Sequence, residues 1–228
     1  VAHPAGVDPR ATLGSTSGIA RAYWPVPLVR AAAAAVAALV ITFSLDHSSI
    51  MGLLVFGVYA LVGGVLCGVF GASRLGDDRA SRTLFLAQAA VSGIAAIAAL
   101  AFSFAAPTPP AYVYLVVAWA VVTGLLELVA GVLGRERTVL ARDWSVVGAI
   151  TVVLGIVFLA VPPDFTTSFT GAQGVSGTMT TSIMTVGLFG AYAAIIAAYL
   201  AIGAFTLKGE RPREQPAGGA VPDERTTS

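Results

Sequence analysis

The sequence predicts an all-α integral membrane bundle of six transmembrane helices, arranged as three hairpin repeats. Three observations predict it. Apolar residues make up 57% of the 228 residues and charged residues 11%, against about 25% charged in a soluble domain. Long stretches carry no charge at all. Every basic residue falls on one side of the spans that those stretches define. So few charges cannot cover a water-facing surface, and so apolar a chain is not a disordered one. A net charge of +1 argues against nucleic acid as a partner. The single cysteine, Cys67, excludes a disulfide framework and a cysteine-based metal cluster. No cofactor or metal is expected.

A helix needs about 20 apolar residues to cross the hydrocarbon core. Residues 48–73, 83–126, 144–163 and 165–207 are free of Asp, Glu, Lys and Arg. Residues 1–23 read as a disordered cytoplasmic segment. The first span covers 26–45 and opens at Pro25 and Pro27. Only 15 residues separate its Arg30 from Asp46, so it spans if Arg30 snorkels toward the interface. A secretory leader is not expected there, because the segment ahead of it is longer than such leaders carry. The second span, 50–71, follows Asp46-His47-Ser48-Ser49, read as a turn and helix cap. The third, 84–105, follows a basic loop. The fourth, 111–133, follows Pro107, Pro109 and Pro110. The fifth, 144–162, runs from Trp144 to Pro162. The loop 163–182, rich in Thr, Ser and Gly, reads as a flexible surface loop. The sixth span covers 183–207, so the membrane domain is 24–208. The Pro- and Gly-bearing tail 209–228 reads as disordered. Barrel strands would alternate apolar and polar residues, and runs such as 50–70 do not.

Basic residues set the orientation. Arg10, Arg21 and Arg30 precede or open the first span. Arg74, Arg79 and Arg82 follow the second, Arg135, Arg137 and Arg142 follow the fourth, and Lys208, Arg211, Arg213 and Arg225 follow the sixth. All 13 lie on one side, which places both termini in the cytoplasm. The Arg-over-Lys bias points to a GC-rich bacterial genome, hence to the bacterial cytoplasmic membrane. Trp24 and Trp144 at inner ends, and Tyr112 and Tyr114 at an outer end, fit interfacial anchors.

The second helices of the three hairpins align without gaps. Tyr59-Ala60-Leu61-Val62-Gly63-Gly64 matches Trp119-Ala120-Val121-Val122-Thr123-Gly124, and Tyr192-Ala193-Ala194-Ile195-Ile196-Ala197 is a looser copy. The register sets Tyr59, Trp119 and Tyr192 at one depth, facing the bundle. Gly64 and Gly68 form a GxxxG pair with Gly71 a turn further on. Gly148 and Gly155, and Gly187 and Gly190, mark further helix contacts, within one chain or between chains.

The fifth span reads Arg142-Asp143-Trp144-Ser145-Val146-Val147-Gly148, then Leu154-Gly155-Ile156, and ends at Pro162. The fourth carries Trp119 to Glu127, with Gly124 and Glu127 forming a Gly-x-x-Glu element. Over residues 24–207 these motifs resemble the HdeD-like membrane proteins, a family whose small hairpin domain of unknown function repeats through six spans. The alanine-rich first span and the long loop before the sixth depart from that pattern. The resemblance implies a role in acid resistance or stress, and no established chemistry.

Glu127 is the ionisable residue that lies clearly inside a span, about 10 Å deep at 1.5 Å per residue. An intramembrane carboxylate is a functional candidate. Thr123 and Gly131 share its face. Arg30 and Gln88 reach a similar depth from the same side, so a polar cluster of Glu127, Arg30 and Gln88 is expected. It serves either as a register-fixing pair or as a proton site. No HExxH, GxSxG or P-loop occurs, and adjacent Asp46, His47 and Ser48 cannot converge as a triad. The expected function is therefore a non-enzymatic membrane protein acting through its bundle, the lipid bilayer, a second copy or a membrane-protein partner. A small channel, transporter or proton-coupled subunit using Glu127 is the alternative, and an accessory subunit of a larger complex a third.

Overall fold

The computed structural model describes residues 24–75, 78–136, 138, 140–170 and 176–209. The segments read as disordered, 1–23 and 209–228, lie outside these residues except for Gly209, which ends a helix; Arg10, Arg21, Arg137, Arg211, Arg213 and Arg225 lie outside them too. The elements are α1 (Pro25–Phe43), α2 (Ser49–Arg74), α3 (Arg79–Ala105), α4 (Pro109–Gly134), α5 (Ala141–Leu159), β1 (Thr166–Thr170), β2 (Ser176–Thr180) and α6 (Thr181–Gly209). All six helices are long and apolar enough to cross a membrane. Their outward side chains agree. Phe43, Ile97 and Phe104 are at least 70% exposed, a surface suited to lipid rather than water.

Several helices outrun the apolar stretches that announce them. α3 begins at Arg79, not at residue 84, because Asp78 caps it. The Asp78 carboxylate accepts from the Ser81 backbone N–H at 3.2 Å and from its hydroxyl at 2.7 Å. α5 begins at Ala141, three residues before Trp144, with Asp143 in its first turn, where a carboxylate complements the helix dipole. It stops at Leu159, ahead of Pro162 and Pro163, which disfavour helix in the residues before them. Ser48 caps α2 through the Met51 N–H. Its own N–H is held by the Asp46 carboxylate at 2.8 Å.

The described parts of the segment before α6 are not irregular. β1 and β2 form an antiparallel hairpin with Thr166 opposite Thr180 and Thr170 opposite Ser176. Threonine's branched Cβ favours extended backbone. The Phe169 ring covers Gly177 across the strands, so that a Cβ there would lie 2.8 Å from it. Thr181 ties the base of the hairpin. Its hydroxyl lies 2.9 Å from the Pro162 and Pro163 carbonyls, and its N–H donates to the Phe165 carbonyl at 3.0 Å.

The closest helix pairs are α2 with α3, α4 with α5, and the two terminal helices α1 and α6. The hairpins read from the repeat would pair α1 with α2 and α5 with α6, and those seams are looser. Small residues explain the difference. Along α2, Cβ atoms added at Gly64, Gly68 and Gly71 would lie 2.9, 3.3 and 3.1 Å from Ser92, Ala89 and Phe85 of α3. A Cβ at Gly148 of α5 would stand 2.5 Å from the Leu128 backbone nitrogen of α4, and one at Gly155 would stand 2.9 Å from Val121. Backbones this close leave no room for a side chain.

The core has two layers of rings. Phe56, Tyr59, Trp119, Phe189 and Tyr192 meet edge to face or tilted, with centroids 5.3–6.3 Å apart. Toward the ends where α2 stops and α3 and α5 begin, Phe70, Phe85 and Trp144 form a second cluster. Trp144 and Tyr112 are therefore not interfacial anchors. They are 2% and 0% exposed, because each sits on the inward face of its helix. Tyr114 is exposed. Trp24, half-buried, carries the Lys208 ammonium 5.0 Å above its ring, a cation–π contact between the start of α1 and the end of α6.

Candidate functional site

Glu127 lies on the inward face of α4, a turn beyond Thr123, and is 2% exposed. Arg30 reaches it from the second turn of α1. Its Nη1 donates to Glu127 Oε1 at 2.7 Å and its Nη2 to Oε2 at 3.2 Å. Gln88 of α3 donates its amide to Oε2 at 3.2 Å. Three helices thus meet at one carboxylate. The pairing is bidentate, the geometry in which guanidinium and carboxylate match best. The guanidinium side is 11% exposed, so the pair is shielded from water and from screening ions.

The pair stands between two cavities. One, of about 20 Å³, is bounded by Arg30, Gln88 and Glu127 and by hydroxyl-bearing Tyr59, Thr123 and Tyr192, room for about one water molecule. Its hydroxyls and ring nitrogen are tied into the helices. Trp119 Nε1 donates to Ser92 Oγ at 3.1 Å. Thr151 and Tyr192 share a hydrogen bond of 3.0 Å. Thr123 and Thr151 also donate to the carbonyls of Trp119 and Val147 one turn back. The other cavity, about 10 Å³, lies between α5 and α6 and touches Arg30, Glu127, Asp143 and Tyr199. There the Tyr199 hydroxyl donates to Asp143 Oδ1 at 3.1 Å.

Arg30, Gln88 and Glu127, read from the sequence as residues of one depth, are joined by these bonds. Ser92 and the Asp143–Tyr199 pair were not singled out in the sequence. Ser92 could have been found, since it follows Gln88 by four residues and so shares its face. Tyr199 carried no signal, because its partner belongs to another helix. The packing glycines form no part of the site. Gly64, Gly68, Gly71, Gly148 and Gly155 border the α2–α3 and α4–α5 seams, and Gly190 of α6 packs on Ile41 of α1, whereas Gly187, expected at a helix contact, points outward with nothing within 4 Å of an added Cβ. Asp46, His47 and Ser48 stand apart at the start of α2, where Asp46 serves the cap. Among the described residues no three His, Cys, Asp or Glu side chains gather as metal ligands.

Two segments, 29–101 and 95–160, match the family described as a short repeat of unknown function (DUF308). The chain belongs to that family. The first match runs through α1, α2 and most of α3, and the second from the end of α3 through α4 and α5. Arg30 and Gln88 fall in one and Glu127 in the other, so the polar cluster bridges the two copies. α6 and the β-hairpin lie outside both. No curated protein and no solved structure matches the chain.

Proposed function

We propose that the chain is a non-enzymatic membrane protein of the HdeD-like type, built from three hairpin repeats with both termini in the cytoplasm. Its home is the bacterial cytoplasmic membrane and its role a stress or acid-resistance one. In this reading the Arg30–Glu127–Gln88 cluster is an ionic staple that fixes the register of α1 against α3 and α4. The observation that carries it is the occupation of both Glu127 oxygens by donors from two other helices. A carboxylate whose two oxygens are each committed to a neighbouring helix ties those helices together.

Charge exchange tests the staple. Arg30→Glu and Glu127→Arg should each lower the yield of folded protein, and the double exchange should recover it. If the double variant is as poor as either single one, the staple reading fails. Orientation is tested with an impermeant maleimide on intact cells. His47→Cys should label and Thr138→Cys should not. The stress role predicts that cells lacking the protein survive acid challenge less well than cells restored with it.

A proton-coupled or channel function using Glu127 is the second reading. The hydroxyl-lined cavity beside the ion pair supports it. In proteoliposomes, proton uptake that is lost in Glu127→Gln would establish it and displace the staple as the main role.

A further inference from the structure

The repeat family matches the chain twice, over 29–101 and 95–160. Three helix pairs nevertheless pack closely: α2 with α3, α4 with α5, and α6 with α1. The first helices of these pairs, α2, α4 and α6, share one register through Tyr59, Trp119 and Tyr192. The seams show that the second helices share one as well. A Cβ at Gly64 of α2 would lie 3.2 Å from the Ala89 carbonyl oxygen and 3.4 Å from the Gly93 nitrogen of α3. One at Gly124, the equivalent place on α4, would lie 2.9 Å from both the Gly148 carbonyl oxygen and the Val152 nitrogen of α5. Ala89 thus corresponds to Gly148, and Ser92 to Thr151. In the third pair, Gly190 of α6 is the equivalent of Gly57 of α2. A Cβ at Gly57 would lie 3.2 Å from the Ala99 Cβ, and one at Gly190 would lie 3.2 Å from the Ile41 Cβ. Ile41 therefore corresponds to Ala99, Ala34 to Ser92 and Arg30 to Gln88.

Burial checks this register independently. Ser92, Ala95, Ala96 and Ala99 face inward on α3, and Thr151, Leu154, Gly155 and Phe158 do so on α5. The corresponding residues of α1, Ala34, Ala37, Ala38 and Ile41, are buried too. The polar bonds follow the same order. Ser92 of the first pair accepts from Trp119 of the second at 3.1 Å, and Thr151 of the second shares a 3.0 Å bond with Tyr192 of the third. The bond that would complete the circle runs from position 34 to Tyr59, where Ala34 has no hydroxyl. The ends of the helices differ in one respect only. Connections 75–78 and 135–140 join the first two pairs at the end of the bundle where α6 stops and α1 begins. The third pair has no connection there, and the Lys208 ammonium sits 5.0 Å above the Trp24 ring in its place.

We propose that α6 and α1 are a third copy of the repeat, split between the two ends of the chain, and that the bundle is a ring of three like hairpins latched by Lys208 on Trp24. A single hairpin cannot bury its inward face alone, and a closed ring of three buries all of them. Arg30 then holds the place that Gln88 has in α3 and Val147 has in α5, which is why both donors reach Glu127. This ring regroups the three hairpins of the functional reading, and it holds whether Glu127 staples the bundle or moves protons.

The empty place at Ala34 supplies the test, made on the full chain in detergent. Ala34→Ser should give Tyr59 the hydroxyl partner that the other two rings have. The melting temperature should equal or exceed that of the unaltered chain, and any gain should vanish when Tyr59→Phe is added. A double-mutant cycle measures this coupling, and the cycle of Thr151→Ala with Tyr192→Phe gives the size expected of it. Ala31→Ser and Ala38→Ser, also buried on α1, should show no coupling to Tyr59→Phe. Absence of coupling at position 34, or equal coupling at 31 or 38, would overturn the proposal. So would an Ala34→Ser chain that fails to fold, since a hydroxyl placed in register has its partner waiting. A permuted chain, with Ser228 joined to Val1 and opened within 75–78, makes α6–α1 continuous and splits α2–α3 instead. It should insert and melt as the unaltered chain does, and failure to insert would count against like hairpins.

Discussion

Helices α2 and α4 carry one register and end in different chemistry. In the gapless alignment Phe56 corresponds to Val116, Tyr59 to Trp119, Ala60 to Ala120 and Cys67 to Glu127, and every one of these residues is buried. Cys67 and Glu127 are each 2% exposed. The matching position on α6 is Leu200, also buried. The same place in the bundle therefore holds a thiol, a carboxylate and a hydrocarbon. The common pattern decides what is inside. It does not decide what is polar. A buried carboxylate is tolerated only where a cation and a further donor meet it, and Arg30 and Gln88 converge on α4.

The comparison can be broken most sharply at Glu127. Glu127→Leu leaves Arg30 without its carboxylate, and should lower stability by about 3–5 kcal/mol. Thermal unfolding in detergent reads this, and the double variant Arg30→Met with Glu127→Leu should recover most of it. A double variant as unstable as the single one would mean that the site is more than a neutral pair. Gly148→Leu tests the scaffold that both copies share. It forces a side chain against the α4 backbone and should cost about 1–3 kcal/mol or more, with weaker detergent resistance as the readout. Cys67→Val, at the place equivalent to Glu127, should cost no more than about 1.5 kcal/mol. A loss as large as that of Glu127→Leu would show that the thiol position is as specialised as the carboxylate one. The smallest effect belongs to Ser92→Ala, which deletes the bond from Trp119 Nε1 with little loss of volume and should cost about 0.6 kcal/mol.

The six helices were legible because charges are so sparse that their gaps measure span lengths. Their ends were less so. Hydropathy reports where lipid would lie, whereas α3 and α5 continue into polar residues through the Asp78 cap and the Asp143 first turn. The strands at 166–170 and 176–180 read as a loop in the sequence because Thr and Ser serve turns and strands alike. The depths of Arg30, Gln88 and Glu127 could be counted along each helix. Which helices touch could not, since glycine stripes mark a close approach without naming the partner. For the same reason Trp144 and Tyr112 looked interfacial by position and proved inward by rotation.

The contact between α1 and α6 has a consequence in time. Among the six helices α1 is made ahead of the others and its closest neighbour after them. Arg30 meets Glu127 only after 97 further residues are synthesised, which takes about 5–20 s at roughly 5–20 residues per second. For that interval α1 is a short, alanine-rich segment whose Arg30 has yet to meet Glu127. It must wait at the edge of the nascent bundle until α4 delivers the carboxylate, and it is locked only when α6 arrives. Of the six helices, the one that is made earliest is thus the one whose packing is completed latest.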